Sequence, residues 1–253
     1  MKPNLLYHYT SIEALYAIID EIYNKYGEDK DAPTELLFKL RATHASYLND
    51  FSEGRLLPEA LKILGANEEL LFIIQNTLGY PFVVSLSELG DDLNMWRCYA
   101  NKGKGISLGI DRAELDNAVK EENDCRLDKC KYVTINELVK LFREKQAEKM
   151  IASKDIKSLY QLLRELLIYK DNSFRAEEEW RIHDFNYETN YRIGNNLIIP
   201  YREIKIPVSA IQTITIGPKC DYEKNHFSLY RMLNTKLPPY HRVKIIRSNV
   251  PLE

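Results

Sequence analysis

Apolar and polar positions alternate with a strand period at both ends of this chain and follow a helical period through its middle. Leu5-Leu6-Tyr7-His8-Tyr9 reads as a strand. Thr10 with Glu13 three residues on is a capping box, opening a helix whose stripe is Ala14, Leu15, Ile18, Ile19 and Ile22. Residues 27–34 are polar and read as a loop, residues 36–42 as a weak strand, and Leu48-Asn49-Asp50 as a turn. Residues 58–78 are helical in pattern, with a break at Gly65-Ala66-Asn67. Pro81 to Ser87 is a strand by its β-branched and aromatic content, Leu93 to Ala100 a short helix, and Gly105 to Ile110 a second strand.

Asp111 with Glu114 caps another short helix, and Thr134 with Glu137 opens one that runs to about Met150. A further helix covers about 156–169, with Leu159, Leu162, Leu163 and Leu166 on one side. After Tyr169 the pattern returns to strands at 197–199, 203–206, 211–216 and 243–247, with a helix at 222–233. Strands and helices do not alternate regularly. The expected fold is therefore α+β: mixed, mostly antiparallel sheet drawn from both ends of the chain, with a central helical insertion at about 111–169. No linker divides residues 1–253, so one domain is expected.

The segment Glu177-Glu178-Glu179-Trp180-Arg181 concentrates the most chemistry. As a strand it sets Glu177, Glu179 and Arg181 on one face and Ala176, Trp180 and Ile182 on the other. Taken alone, it reads as the solvated face of a sheet with cross-strand ion pairs, ahead of the alternative that the row, backed by Trp180, forms a rigid polar site. His8, on a strand running into a helix start, suits a ligand contact or a hydrogen bond to a carbonyl. Ser85 and Ser87 share a strand face, for hydrogen bonding to a ligand or to solvent, and no G-x-S-x-G surrounds them. Trp96 and Tyr99, three apart on a short helix, form either core or a stacking wall for a flat heterocycle. Asn49, Asp50 and Glu53 are accounted for by a turn and a helix cap.

Composition narrows the field. A net charge of −2 gives no electrostatic reason to expect nucleic acid or an anionic membrane as partner. Cys98, Cys125, Cys130 and Cys220 form no C-x-x-C pair and no histidine stands at zinc spacing, so no metal site and reduced thiols are expected. There is no signal-like start and no membrane-spanning run, which points to a cytoplasmic protein. Without a P-loop or G-x-G-x-x-G, nucleotide chemistry of the Rossmann or P-loop kind is disfavoured. Seventeen tyrosines against ten glycines suit half-buried sheets and binding clefts.

Six segments in order resemble an uncharacterised bacterial domain-of-unknown-function family: Leu6 to Ser11, Leu48 to Asp50, Ser85 to Glu88, Met95 to Ala100, Gly105 to Ile110, and a last one carrying Lys170, Phe174, Glu177, Glu179, Trp180 and Arg181. A fainter resemblance is to the ADP-ribosyltransferases. It rests on Leu6-Tyr7-His8-Tyr9-Thr10, on Ser85 or Ser87, on Tyr99, and on Glu177-x-Glu179, with Tyr9 standing where those enzymes have glycine. That resemblance implies NAD as substrate and no metal. It implies Glu179 as the catalytic carboxylate assisted by Glu177, His8, Tyr7 and Thr10 on the nucleotide, and Ser87 near the ribose. Tyr99 would stack on nicotinamide beside Trp96, and Arg181 would complete the site. It also implies a toxin or antiphage-defence effector. Two other classes stand beside it. One is a sensor or interaction module in which Lys170, Glu177, Glu179 and Arg181 are a structural ion-pair network. The other is a metal-dependent nuclease using Asp50, Glu53 and Glu179, which the near-neutral charge disfavours.

Overall fold

The first strand, β1 (Leu5–Thr10), buries Leu5, Leu6 and Tyr9 and leads directly into α1 (Ile12–Tyr26). In this computed structural model, which describes residues 4–26, 36–48, 53–77, 81–186, 188–194, 196–236 and 243–251, the cap of α1 is Ser11. Its hydroxyl accepts from the Ala14 amide at 3.1 Å, while Thr10, the expected cap, stays in the strand. β2 (Leu37–His44) turns Phe38, Leu40 and Ala42 inward. Next come α2 (Glu53–Ile63) and α3 (Glu68–Thr77), separated at Gly65, whose φ of +94° suits glycine. β3 (Phe82–Ser87), α4 (Leu93–Tyr99), β4 (Ile106–Asp111) and α5 (Arg112–Glu121) follow. Asp111 caps α5 by accepting from the amides of Ala113 and Glu114.

The segment expected to be a helical insertion also contains strands. β5 (Cys125–Lys129) joins the main sheet, and β6 (Lys131–Val133) pairs with β7 (Tyr169–Asp171). Between them lie α6 (Ile135–Glu144), α7 (Ala147–Ala152) and α8 (Ile156–Leu166). Thr134 and Glu137 form the expected capping box, but the helix does not reach Met150 unbroken: Gln146 adopts φ +62° and divides it. The chain closes with β8 (Glu179–Asp184), β9 (Asn190–Gly194), β10 (Leu197–Pro207), β11 (Ile211–Ile216), α9 (Tyr222–Lys236) and β12 (Lys244–Arg247).

The fold is α+β. Its large sheet runs β12-β11-β4-β1-β3-β2-β10-β9, with β8 on β3 and β5 beyond β8. Pairing in it is antiparallel except between β11 and β12. Leu6, Leu40, Val84, Leu108 and Ile182 build the core on one face of this sheet, with α1 and α5 supplying Leu15, Ile19 and Leu115. A second core lies among helices, with Leu61 of α2, Leu71 of α3, Phe142 of α6 and Leu159 of α8. The helical layer thus draws on residues well before the expected insertion as well as on α6 to α8.

One irregularity of the sheet positions everything that follows. β3 pairs with β8 along all six residues, but its other edge is shared. β1 meets it at Tyr7↔Ser87, and β2 meets it at Thr43↔Val83 and His44↔Phe82. Between those points β1 and β2 part, and the backbone of β3 around Ser85 borders an opening.

Candidate functional site

An unpaired strand carbonyl needs a partner, because a buried polar group without one costs about 1–3 kcal/mol. At the opening His8 supplies it: Nδ1–H donates to the Ser85 carbonyl at 3.0 Å. A carbonyl only accepts, so Nδ1 carries the proton and Nε2 is left as an acceptor. Burial lowers the His8 pKa, against a smaller opposing effect of the Ser85 bond, and keeps the ring neutral near pH 7.

The opening widens into a cleft of about 790 Å³. Tyr7, His8, Thr10, Ser85, Tyr99, Glu177 and Glu179 all line it, so seven of the ten residues singled out from the sequence meet in one place. The Tyr7 ring fits because glycines leave room: a Cβ added at Gly90 would lie 2.5 Å from that ring. By strand register, Tyr7 faces the same side of the sheet as Glu179, and His8 faces the core side with Leu6 and Leu108.

The carboxylate wall is built from β7, β8 and the turn between them. All six residues of β8 are buried, so the expected solvated face is corrected: β3 and β5 flank the strand, and Tyr132 and Lys170, from β6 and β7, reach over it. Glu177 does not belong to the strand as expected. It ends a 3-10 turn at Asn172–Glu177, and Glu178 follows with φ +47°. The turn nevertheless brings Glu177 beside Glu179, with Lys170 between them.

Lys170 is 2% exposed and donates to Glu177 Oε2 at 2.6 Å and to Glu179 Oε2 at 2.7 Å. Its ammonium also lies 4.5 Å from the centre of the Phe174 ring. Arg181 holds Glu179 bidentately, from Nε to Oε1 at 2.9 Å and from Nη2 to Oε2 at 3.0 Å. The Glu179 amide donates to Tyr132 Oη at 2.8 Å. Burial raises the Glu179 pKa, but Arg181 and then Lys170 outweigh it and hold the carboxyl at about 2. On the outer side Tyr99 donates its hydroxyl to Glu177 Oε1 at 2.7 Å. Tyr99, Glu177, Lys170, Glu179 and Arg181 thus form one continuous hydrogen-bonded row, whose first four members line the cleft.

Three of the expected site residues lie elsewhere. Ser87 is fully buried; its hydroxyl donates to the Glu177 carbonyl at 2.7 Å and accepts from the Leu89 amide at 2.9 Å, so it ties β3 to the turn. Trp96 is fully buried and meets Tyr9 edge to face at 5.0 Å. Its indole donates to Asp91, which also accepts from Ser248 and from the Asn249 amide. The ring is therefore core and no stacking wall. Arg181 acts behind Glu179 and does not line the cleft. Asn49 and Asp50, and the side chain of Glu53, lie outside the described residues.

The structure adds residues the sequence did not single out for the site. Arg41, Thr43 and Tyr47, on and just after β2, and Arg192 on β9 line the opposite part of the cleft. No group of three or more His, Cys, Asp or Glu stands together as a metal site among the described residues. Among them, no helix is long and apolar enough to cross a membrane.

The class defined so far is an α+β protein with a polar cleft at a parted sheet. Residues 95–182 match a family described as Protein of unknown function (DUF2971). That span carries Tyr99, Lys170, Glu177, Glu179 and Arg181, the whole hydrogen-bonded row, and leaves β1, β2 and β3 outside it. Comparison with curated proteins and with solved structures gave no match.

Proposed function

We propose that this chain is an NAD-using enzyme of the ADP-ribosyltransferase kind, with the cleft as its active site. The observation that carries this reading is the meeting of His8, Tyr99, Glu177 and Glu179 in one cleft from three distant stretches of chain. In the reaction, the bond between the nicotinamide nitrogen and C1′ of the ribose breaks, and its electron pair leaves with nicotinamide. C1′ becomes positive, and an acceptor oxygen or nitrogen, or water, closes on it and gives up a proton. A fixed carboxylate that accepts from the ribose 2′-hydroxyl stabilises that charge.

Of the two carboxylates, Glu177 is the one within reach of a ligand: its side chain is 16% exposed, against 5% for Glu179. Glu179 already accepts three charge-assisted hydrogen bonds. The sugar contact is therefore assigned to Glu177, and Glu179 anchors Lys170 behind it. The ring of Tyr99 takes the nicotinamide while its hydroxyl orients Glu177. His8 offers Nε2 to a hydroxyl or amide of the nucleotide.

The test is release of nicotinamide from labelled NAD by the purified protein, with Glu177→Gln as control. Release by the wild type and its loss in the variant are expected. No release, or release unchanged in both Glu177→Gln and Glu179→Gln, overturns the reading. If NAD is consumed, inducible expression of the wild type should arrest growth and Glu177→Gln should not, which tests the toxin or phage-defence role.

A second reading has its own support. Lys170, Glu179 and Arg181 satisfy one another so fully that the row also fits a scaffold for a non-catalytic sensor. Saturable NAD binding with no nicotinamide released favours that reading.

A further inference from the structure

The part of the cleft away from the carboxylates is basic. Arg41 and Arg192 both line it, and strand register sets them on one face of the sheet. Arg41 shares its face with Thr43, which pairs with Tyr201; Arg192 pairs with Ile199, two residues from Tyr201. The Arg192 Nη2 reaches Thr43 Oγ1 at 3.3 Å, and its Nε is buried without a hydrogen-bond partner among the described residues. Arg41 stands over the Tyr201 ring at 5.4 Å. Glu203, the cross-strand neighbour of Arg41, is engaged by Lys39 at 2.8 Å. Neither arginine forms an ion pair with an acidic side chain among the described residues.

Two guanidiniums on one face of the cleft, neither held in an ion pair by an acidic side chain among the described residues, repel each other, and partial burial strengthens that repulsion. Burial and the neighbouring Arg41 accordingly push the Arg192 pKa below its ordinary value. A bridging anion removes the repulsion, and the planar fork of arginine matches the oxygens of a phosphate. Position along β3 adds length to the requirement. Glu179 lies opposite Ser87, and Thr43 lies opposite Val83, four residues away, which is about 13 Å along a strand. A ligand that meets both ends of the cleft is extended, with its anionic part at the arginines.

We infer that Arg41 and Arg192 form a phosphate-holding subsite, so that the cleft takes a dinucleotide-like ligand with its diphosphate at the arginines and its sugar at Glu177. The inference rests on the nucleotide reading of the cleft, and it does not require that any bond be broken.

The test is calorimetric titration with ADP-ribose, adenosine and inorganic pyrophosphate, for the wild type, Arg41→Gln, Arg192→Gln and the double variant. Circular dichroism and thermal unfolding confirm that each variant is folded. ADP-ribose is expected to bind, to weaken about tenfold or more with each arginine lost, and to weaken with added salt. Pyrophosphate competing with ADP-ribose supports the subsite. ADP-ribose affinity unchanged in the double variant, or no ADP-ribose binding by the wild type, overturns it. Nicotinamide release measured alongside separates this inference from the proposed function. Release with unaltered KM in the double variant overturns the subsite and leaves the enzyme reading standing. Arginine-dependent ADP-ribose binding without release upholds the subsite and overturns the enzyme reading.

Discussion

Tyr99 donates its hydroxyl to Glu177 at 2.7 Å, across 78 residues of sequence, while Lys170 holds the other oxygen of the same carboxylate at 2.6 Å. A carboxylate gripped from both sides has one orientation, as a group directed at a reacting sugar requires. Tyr99→Phe keeps the ring and removes the outer grip. A hydrogen bond to a charged group contributes about 1.5–3 kcal/mol. The kcat for nicotinamide release should therefore fall about 10- to 100-fold with little change in KM. Tyr99→Ala should raise KM as well.

The two glutamates should separate in stability. Glu179→Gln leaves Lys170 and Arg181 buried without their shared countercharge, and breaking a buried pair costs about 3–5 kcal/mol. Glu177→Gln leaves Lys170 still paired with Glu179 and should cost less than half of that. Its kcat should fall by about 10²–10³, the effect of removing one preorganised stabilising group. Urea unfolding of both variants, beside their nicotinamide release, measures the difference.

Acid should destabilise the protein in two stages. His183 is buried, and its pKa is lowered from 6.5 to about 3 by burial, then by Arg181 and Arg126. Between those values the unfolded chain takes up a proton that the folded state refuses, so stability falls as pH drops below 6.5. Glu179, lowered from 4.5 to about 2, adds a second loss of the same sign below 4.5. A His183→Gln variant should show a flatter stability profile between pH 6.5 and 5, and Glu179→Gln a flatter one below 4.5. Urea midpoints across pH measure both.

Gly90→Ala should disturb the cleft from a distance. The new methyl group would lie 2.5 Å from the Tyr7 ring, so the ring must move. Overpacking of this kind costs about 1–3 kcal/mol. Thermal unfolding should register the cost, and a raised KM for NAD should report the shifted wall.

Much of this was legible in the chain. Caps at Asp111 and Thr134 gave helix starts to the residue, because side-chain-to-amide bonding is local. Thr10 misled, since Ser11 beside it offers the same chemistry one residue later. β5 was missed because Cys125-Arg126-Leu127-Asp128-Lys129 is a charged edge with little apolar signal. Lys170, Glu177 and Glu179 are near in sequence, and their grouping could be read from spacing. Arg41 and Arg192 could not be: they lie 151 residues apart, and β9 carries no strand signal strong enough to align them. The Glu177 to Arg181 stretch looked solvated because nothing local foretells that Tyr132 and Lys170 fold over it.

The parted sheet has a consequence for tolerance to mutation. Both ends of the cleft are indexed to a single six-residue strand: Ser87 aligns Tyr7 and Glu179, and Val83 aligns Thr43. A slip of one residue on β3 would turn Ser85 and Ser87 to the core face and bring Val84 and Leu86 to the face of Tyr7 and Glu179. Val84 and Leu86 belong to the core and also border the cleft, so apolar substitutions there govern how the walls are aligned. The anvil on which this cleft is shaped is a strand that contributes no charge of its own.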